Sequence, residues 1–232
     1  MRPADTARLV ALAAIWGASF IFIRVTAPVL GPVWVTEGRV LIGGLALAAW
    51  FAVTGFDPQW RRHLKFYAII GLINSAVPFS LYGFAGMHLS ASVMSILNAT
   101  APMFGLLLGS ALAGERITAR KIAGLVAGLA GAQFCGALAL APFLPLVPPV
   151  SMPDAAVLAN LAALGILASA IALVLHFRLM IDIGPTRTLT VTYLIPLFGM
   201  LWGVLFLGEI LTAPVIAGGA LILAGTVLVT RG

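Results

Sequence analysis

Pro102-Met103-Phe104-Gly105, running on to Gly114-Glu115-Arg116-Ile117-Thr118, returns 94 positions later as Pro196-Leu197-Phe198-Gly199, running on to Gly208-Glu209-Ile210-Leu211-Thr212. The proline and the glutamate are equally far apart in both copies, and past the glutamate Ile122, Gly124 and Gly131 stand opposite Ile216, Gly218 and Gly225. Proline, Gly-Glu and threonine held in one register over about thirty residues mark an internal repeat, two helical hairpins of one design.

Composition sets the solvent in which the repeat folds. Of the 232 residues, 62% are hydrophobic and only 9% charged, and the mean hydropathy is +1.13, where a soluble domain has roughly a quarter of its residues charged. The sequence is that of an integral membrane protein. A single cysteine, Cys135, excludes an internal disulfide framework. The net charge of +6 is distributed as short basic clusters between apolar runs, which describes membrane topology and not a nucleic-acid surface. Leu9 to Val25 reads as a first transmembrane helix, not a cleaved signal, because it is long enough to span and more spans follow.

With about 20 apolar residues needed per crossing, the chain divides into about eight spans. The first runs from about Ala7 and ends at Pro28, and the second follows Pro32 and exits near Gly55. The third covers about Phe66 to Ala85, the fourth about Ser90 to Ala113, and the fifth starts at Thr118 and is apolar to about Val147. There Pro145, Pro148, Pro149 and Pro153 break helical structure. The last three cover about Ala155 to Met180, Pro185 to Leu207 and Thr212 to Val229. Lys and Arg test this division independently. Arg2 and Arg8, then Arg61, Arg62 and Lys65, then Arg116, Arg120 and Lys121, then Arg178 and Arg187, then Arg231 all fall on one side. The opposite loops, around Gly31, His88, Pro148 to Asp154 and Glu209, hold none. Both termini are therefore expected in the cytoplasm, with the chain multi-pass in the cell inner membrane.

Trp16-Gly17-Ala18-Ser19-Phe20 in the first span, an arginine in the second and the doubled Gly-Glu hairpin together resemble the EamA-type transporters of the drug/metabolite transporter superfamily, over nearly the whole chain. The resemblance implies an all-α bundle of ten helices, built from two inverted five-helix repeats, that moves small metabolites such as amino acids. Eight spans are fewer than ten. At the offset of 94, Gly38-Arg39-Val40-Leu41 stand opposite Ala132-Gln133-Phe134-Cys135, and Gly71 stands opposite Gly165. The text after Ala132 thus resembles the later half of a seventh helix, and about two helices are missing at a joint near Gly131-Ala132. Residues 1–131 are read as the N-terminal repeat, and 132–232 as a C-terminal repeat truncated at its start. Either the fifth span is a fusion, about 27 residues from Lys121 to Val147, which demands tilt or a break near Pro142, or a segment is omitted there.

Candidate site residues follow from where polar and aromatic groups fall within the spans. Trp16, Phe79, Tyr82, Tyr193 and Trp202 are expected to line a central cavity, with Ser19, Asn74, Asn98 and Gln133 supplying hydrogen bonds; packing against lipid is the alternative for any one aromatic. Pro102 and Pro196, at equivalent places, are the expected hinges. Arg39, at mid-depth, costs roughly 2.5 to 3.5 kcal/mol on insertion scales and so is functional or paired, unless it snorkels to the headgroups. Glu115 and Glu209 are read as capping the helix that follows each of them, and His176 as a solvated residue or a pH-sensitive gate. No metal spacing, nucleotide loop or catalytic arrangement stands out, so neither catalysis nor a cofactor is expected. The expected partners are a small-molecule substrate and the lipid bilayer, with a homo-oligomer open and no nucleic acid. A secondary transporter is the functional expectation; a membrane assembly protein, a partner-dependent half-pathway and a facilitative channel are the alternatives.

Overall fold

Gly31 folds the first two spans back on each other. The computed structural model describes residues 2–55, 60–100 and 131–231, and among them there are helices, turns and short connectors but no strand. Helix α1 (Pro3–Thr54) carries both spans, and its backbone leaves the helical region at Gly31, with φ 79 and ψ 164, a conformation essentially restricted to glycine. On a straight helix Trp16 and Arg39 would lie about 34 Å apart at 1.5 Å per residue. They bond instead to adjacent residues, Ala168 and Ser169, so the two limbs form a hairpin. Pro28, expected to end the first span, lies inside the helix. Losing one hydrogen bond at a proline bends a helix, whereas the positive φ available to Gly31 reverses it.

The third span is α2 (Trp60–Ile70), a π-helical turn (Gly71–Ala76) and α3 (Val77–His88). Pro78 has no N–H for the Asn74 carbonyl, and the wider turn just before it takes up the mismatch. Helix α4 (Ala91–Asn98) opens the fourth span. Residues 131–140 form α5, so the chain passes through Gly131 and Ala132 as helix. At Pro142 it tightens into a 3-10 turn (Ala141–Leu146); of the two expected accommodations, tilt or a break, this is the break. Helix α6 (Ala155–Gly165), a second π turn (Ile166–Ile171) and α7 (Ala172–Ile183) make a continuous 29-residue span. Then come α8 (Pro185–Thr188), α9 (Val191–Leu207) and α10 (Ala213–Arg231). Three of these helical stretches, Pro3–Thr54, Leu64–His88 and Ala155–Ile183, are long and apolar enough to cross a membrane. The perimeter exposes Leu45, Ile73, Leu81, Phe84 and Leu205, as a lipid-facing surface should. Pro102, Glu115 and most of the hairpin from Ser92 to Gly131 lie outside the described residues.

Small residues let the helices approach closely. A Cβ at Gly17 would come within 2.7 Å of Phe198, and one at Gly71 within 2.6 Å of the Ala132 carbonyl. The two ends of the bundle differ in chemistry. At one, Arg8 pairs with Asp182 at 2.8 Å and Arg178 with the same carboxylate at 3.0 Å. At the other, the Ser151 N–H donates to the Val29 carbonyl at 2.9 Å and the Trp34 indole to the Val147 carbonyl at 2.8 Å.

Glu209 is at this second end and corrects an expectation. It caps α4, not the helix that follows it: the Ala91 N–H donates to Oε1 at 2.6 Å, and the Ser92 N–H and hydroxyl donate to Oε2 at 2.9 and 2.5 Å. Gly208, with φ 63, turns the chain back after α9, while α10 starts only at Ala213, so the carboxylate is aimed at free amides across the bundle. Replacing Glu209 with alanine leaves two of those N–H groups without their acceptor and should lower stability by about 1–2 kcal/mol. Thermal unfolding in detergent micelles reads this directly; a melting temperature equal to that of the parent would refute the cap.

Candidate functional site

Between the limbs of α1, the π turns and α9 lies a cavity of about 340 Å³, within the range of small-molecule sites. Seven of the nine residues expected from the sequence line it: Trp16, Ser19, Asn74, Phe79, Tyr82, Asn98 and Gln133. Tyr193 and Trp202 do not. Trp202 reaches away to donate to the Ala14 carbonyl at 3.0 Å and walls a separate apolar groove with Phe22 and Phe206. On α9 the cavity is met by Thr192 and Ile195. Tyr193, next to Thr192 in sequence, is not among the lining residues. Pro196 is buried inside α9, and Pro102 lies outside the described residues.

Each wall is held by a bond traceable to local sequence. The Trp16 indole donates to the Ala168 carbonyl at 3.2 Å, and the Ser19 hydroxyl to the Trp16 carbonyl at 2.6 Å. The Tyr82 hydroxyl donates to Asn98 Oδ1 at 2.5 Å, with its ring edge-on to Phe20 at 6.0 Å. Ser169 is in the second π turn and donates to the Leu164 carbonyl at 3.3 Å, a reach of five residues that suits the widened helix. Gln133 is 3% exposed, and its Oε1 has no hydrogen-bond partner among the described residues.

Arg39 does not snorkel. It is 8% exposed, its Nε–H donates to Ser169 Oγ at 3.1 Å, and its guanidinium carbon lies 3.7 Å from the centre of the Phe79 ring, close enough for a cation–π contact. His176 is half-buried rather than fully solvated: its ring packs 5.1 Å from that of Trp16, and its buried Nδ1 has no hydrogen-bond partner among the described residues.

Residues the sequence reading passed over, Thr192 and Ala168, were reachable from the repeat. Four pairs exactly 94 apart line the cavity together: Arg39 with Gln133, Asn74 with Ala168, Phe79 with Leu173, and Asn98 with Thr192. The π turns that carry two of these positions are themselves offset by 95. Applying the offset to Asn74 and Asn98 would have named Ala168 and Thr192. Arg24, also missed, sits in the first span and donates to the Gly86 carbonyl at 3.0 Å, outside the cavity lining.

The model of the EamA-like transporter family matches residues 7–135 and again 132–231. A curated protein of Streptantibioticus cattleyicolor, named "Probable terminal-alkyne amino-acid exporter", is 24% identical over 266 residues, covering 93% of this chain and 90% of that protein. An "Uncharacterized transporter" of Archaeoglobus fulgidus is 26% identical over 116 residues, half of this chain and 41% of its own length. No solved structure matches. In the first comparison 93% of 232 residues is about 216, so about 50 of the 266 aligned positions have no residue of this chain opposite them.

Cysteine accessibility measures the cavity without knowledge of a ligand. With Cys135 replaced by alanine, a S19C protein should react with a small thiol reagent, and adding Ala168→Trp should slow that reaction about tenfold or more by filling the space. The Trp16 indole bonds to the backbone carbonyl at position 168, so the substitution leaves that contact available. Equal labelling rates would show that Ser19 is reached by another route.

Proposed function

Because the chain belongs to the EamA-like transporter family, we propose that this membrane transporter is a secondary carrier, moving a small organic metabolite such as an amino acid across the inner membrane by alternating access. The observation that carries the reading is the shared cavity. Positions 94 apart meet on one space, as expected where two repeats enclose a midplane site and rock about it. In this reading residues 1–131 and 132–232 are the two repeats, and the family match supports the boundary because its two stretches meet at Ala132–Cys135. The cavity residues Trp16, Ser19, Asn74, Phe79, Tyr82, Asn98 and Gln133 contact the solute. Pro196, inside α9, is a hinge, with Pro102 as its counterpart by sequence. An amino-acid substrate draws support from the name of the Streptantibioticus relative.

Orientation rests on charge. Arg8, Arg178 and their carboxylate partners gather at one end, while the Ser151, Trp34 and Glu209 contacts of the other end involve no Lys or Arg. By the positive-inside rule the first end is the cytoplasmic one in this reading, and both termini are expected on that side. Cysteines introduced singly at Ala4 and Gly232, in the Cys135→Ala background, should be labelled from the same face of sealed vesicles; labelling from opposite faces would overturn the topology.

A partner-dependent pathway is the second reading, favoured by the roughly fifty aligned positions that this chain lacks against the exporter. Reconstitution separates the readings. A carrier exchanges labelled for unlabelled solute across proteoliposomes, a facilitative channel conducts without counterflow, and an assembly protein or incomplete pathway does neither alone. Counterflow of an amino acid is the expected result, and its absence across a broad solute panel would remove the carrier reading.

A further inference from the structure

The geometry points to an anion subsite built on Arg39, which takes the single carboxylate of the transported solute. The inference rests on the cavity being the transport site but deepens that reading, since nothing in the family match or the relatives' names places a charge there. Arg39 is the only charged residue lining the cavity among the described residues. Among the described residues it forms no ion pair, and neither of its Nη atoms makes a hydrogen bond. Glu37, two positions away, is turned about 200° from it on the same helix and cannot serve as its same-face partner.

What Arg39 does bond explains why it is available. Ser169 takes the Nε–H edge and Phe79 takes one face, so the side chain is fixed while the two terminal nitrogens stay uncommitted. A guanidinium held this way presents a planar fork that matches a carboxylate, and the fork is already oriented when the solute arrives. A buried cation without a counter-ion is unfavourable in a membrane interior, and an anionic solute group supplies the missing partner.

The repeat limits that solute to one carboxylate. At the position 94 residues on stands Gln133, neutral and buried, with Oε1 lacking a donor. A dicarboxylate would need a second cation there. The free amide oxygen instead accepts a hydrogen bond, from an ammonium or a hydroxyl, and Trp16, Phe20 and Leu173 give the remainder of the solute apolar walls. The subsite is therefore selective for the carboxylate itself, whether the solute is a simple monocarboxylate or a zwitterion.

Binding to the purified full-length protein in detergent micelles tests this apart from transport. The probes are 3-phenylpropionate, L-phenylalanine, methyl 3-phenylpropionate, phenethylamine and phenylsuccinate, read by calorimetric titration. At least one of the first two should bind about tenfold or more tighter than the ester, the amine and the dicarboxylate. Arg39→Gln should abolish that preference, Arg39→Lys should keep it at weaker affinity, and Phe79→Leu should weaken binding of the carboxylates more than of the ester. The unfolding transition of each variant is recorded alongside, and the comparison among probes on wild-type protein stands even where a variant does not fold. Tight binding of the ester or amine, preference for phenylsuccinate, a preference that survives Arg39→Gln, or no binding of either monocarboxylate overturns the proposal. Selective carboxylate binding without counterflow in liposomes would keep the anion site and remove the carrier reading, so the two failures are distinguishable.

Discussion

The reversal at Gly31 is the constraint on which the site depends. In hydrocarbon every backbone N–H and C=O must find a partner within the protein, so a chain can turn only where a residue tolerates the required dihedrals and the freed groups are met elsewhere. Gly31 tolerates them, and the Val29 carbonyl just before it is taken by Ser151 N–H from the far loop. The turn brings Trp16 on the ascending limb and Arg39 on the descending limb to adjacent residues of the second π turn, to which each is bonded. Without that reversal an indole and a guanidinium 23 residues apart could not share a cavity.

The π turns make room for those bonds. An ordinary α-helix commits each carbonyl to the amide four residues on, and side-chain hydroxyls compete poorly with it. Widening the helix by one residue loosens the ladder, and Ser169 uses the slack to reach the Leu164 carbonyl while its oxygen accepts from Arg39. The first π turn has a covalent cause in Pro78, but the second has no proline within its six residues; just before it, Gly165 leaves no room for a Cβ against Ile42. Both turns put a buried serine at the same offset, Ser75 and Ser169, so the widening belongs to the repeat and not to either span alone.

This explains which parts of the molecule were legible in the sequence. Hydropathy gave the membrane-spanning helices because burial in lipid demands long apolar runs, and the proline-rich stretch after Leu140 announced its own break. Polar residues inside apolar runs pointed to the cavity, since a buried amide or hydroxyl needs a partner or a ligand. Aromatic type alone was a poorer guide: Trp202 and Tyr193 have the chemistry of cavity residues, but the face they occupy depends on helix rotation, which a uniformly apolar span such as α9 does not encode. Glu209 failed for another reason. Its role as a cap was readable from charge and the helix dipole, while the choice of helix depended on a tertiary contact more than a hundred residues away in sequence.

The two halves share positions but not chemistry, and the difference decides what the site can do. At the paired lining positions the N-terminal set is a cation, an amide, a ring and an amide, and the C-terminal set an amide, a methyl, an isobutyl and a hydroxyl group. Equal backbones allow two halves to exchange conformations, which is what alternating access requires; equal side chains would make the cavity blind to which way a solute lies in it. With Arg39 in one half and Gln133 in the other, a solute with one charged end has a single favoured orientation. In the proposed reading its charged end meets Arg39 on α1, while its apolar end lies against Trp16, Phe20 and Leu173. In the carrier reading, a switch that moves one half against the other bears most on the charged contact, because Arg39 of the first half is held by Ser169 of the second, and apolar contacts are interchangeable where a fixed guanidinium is not.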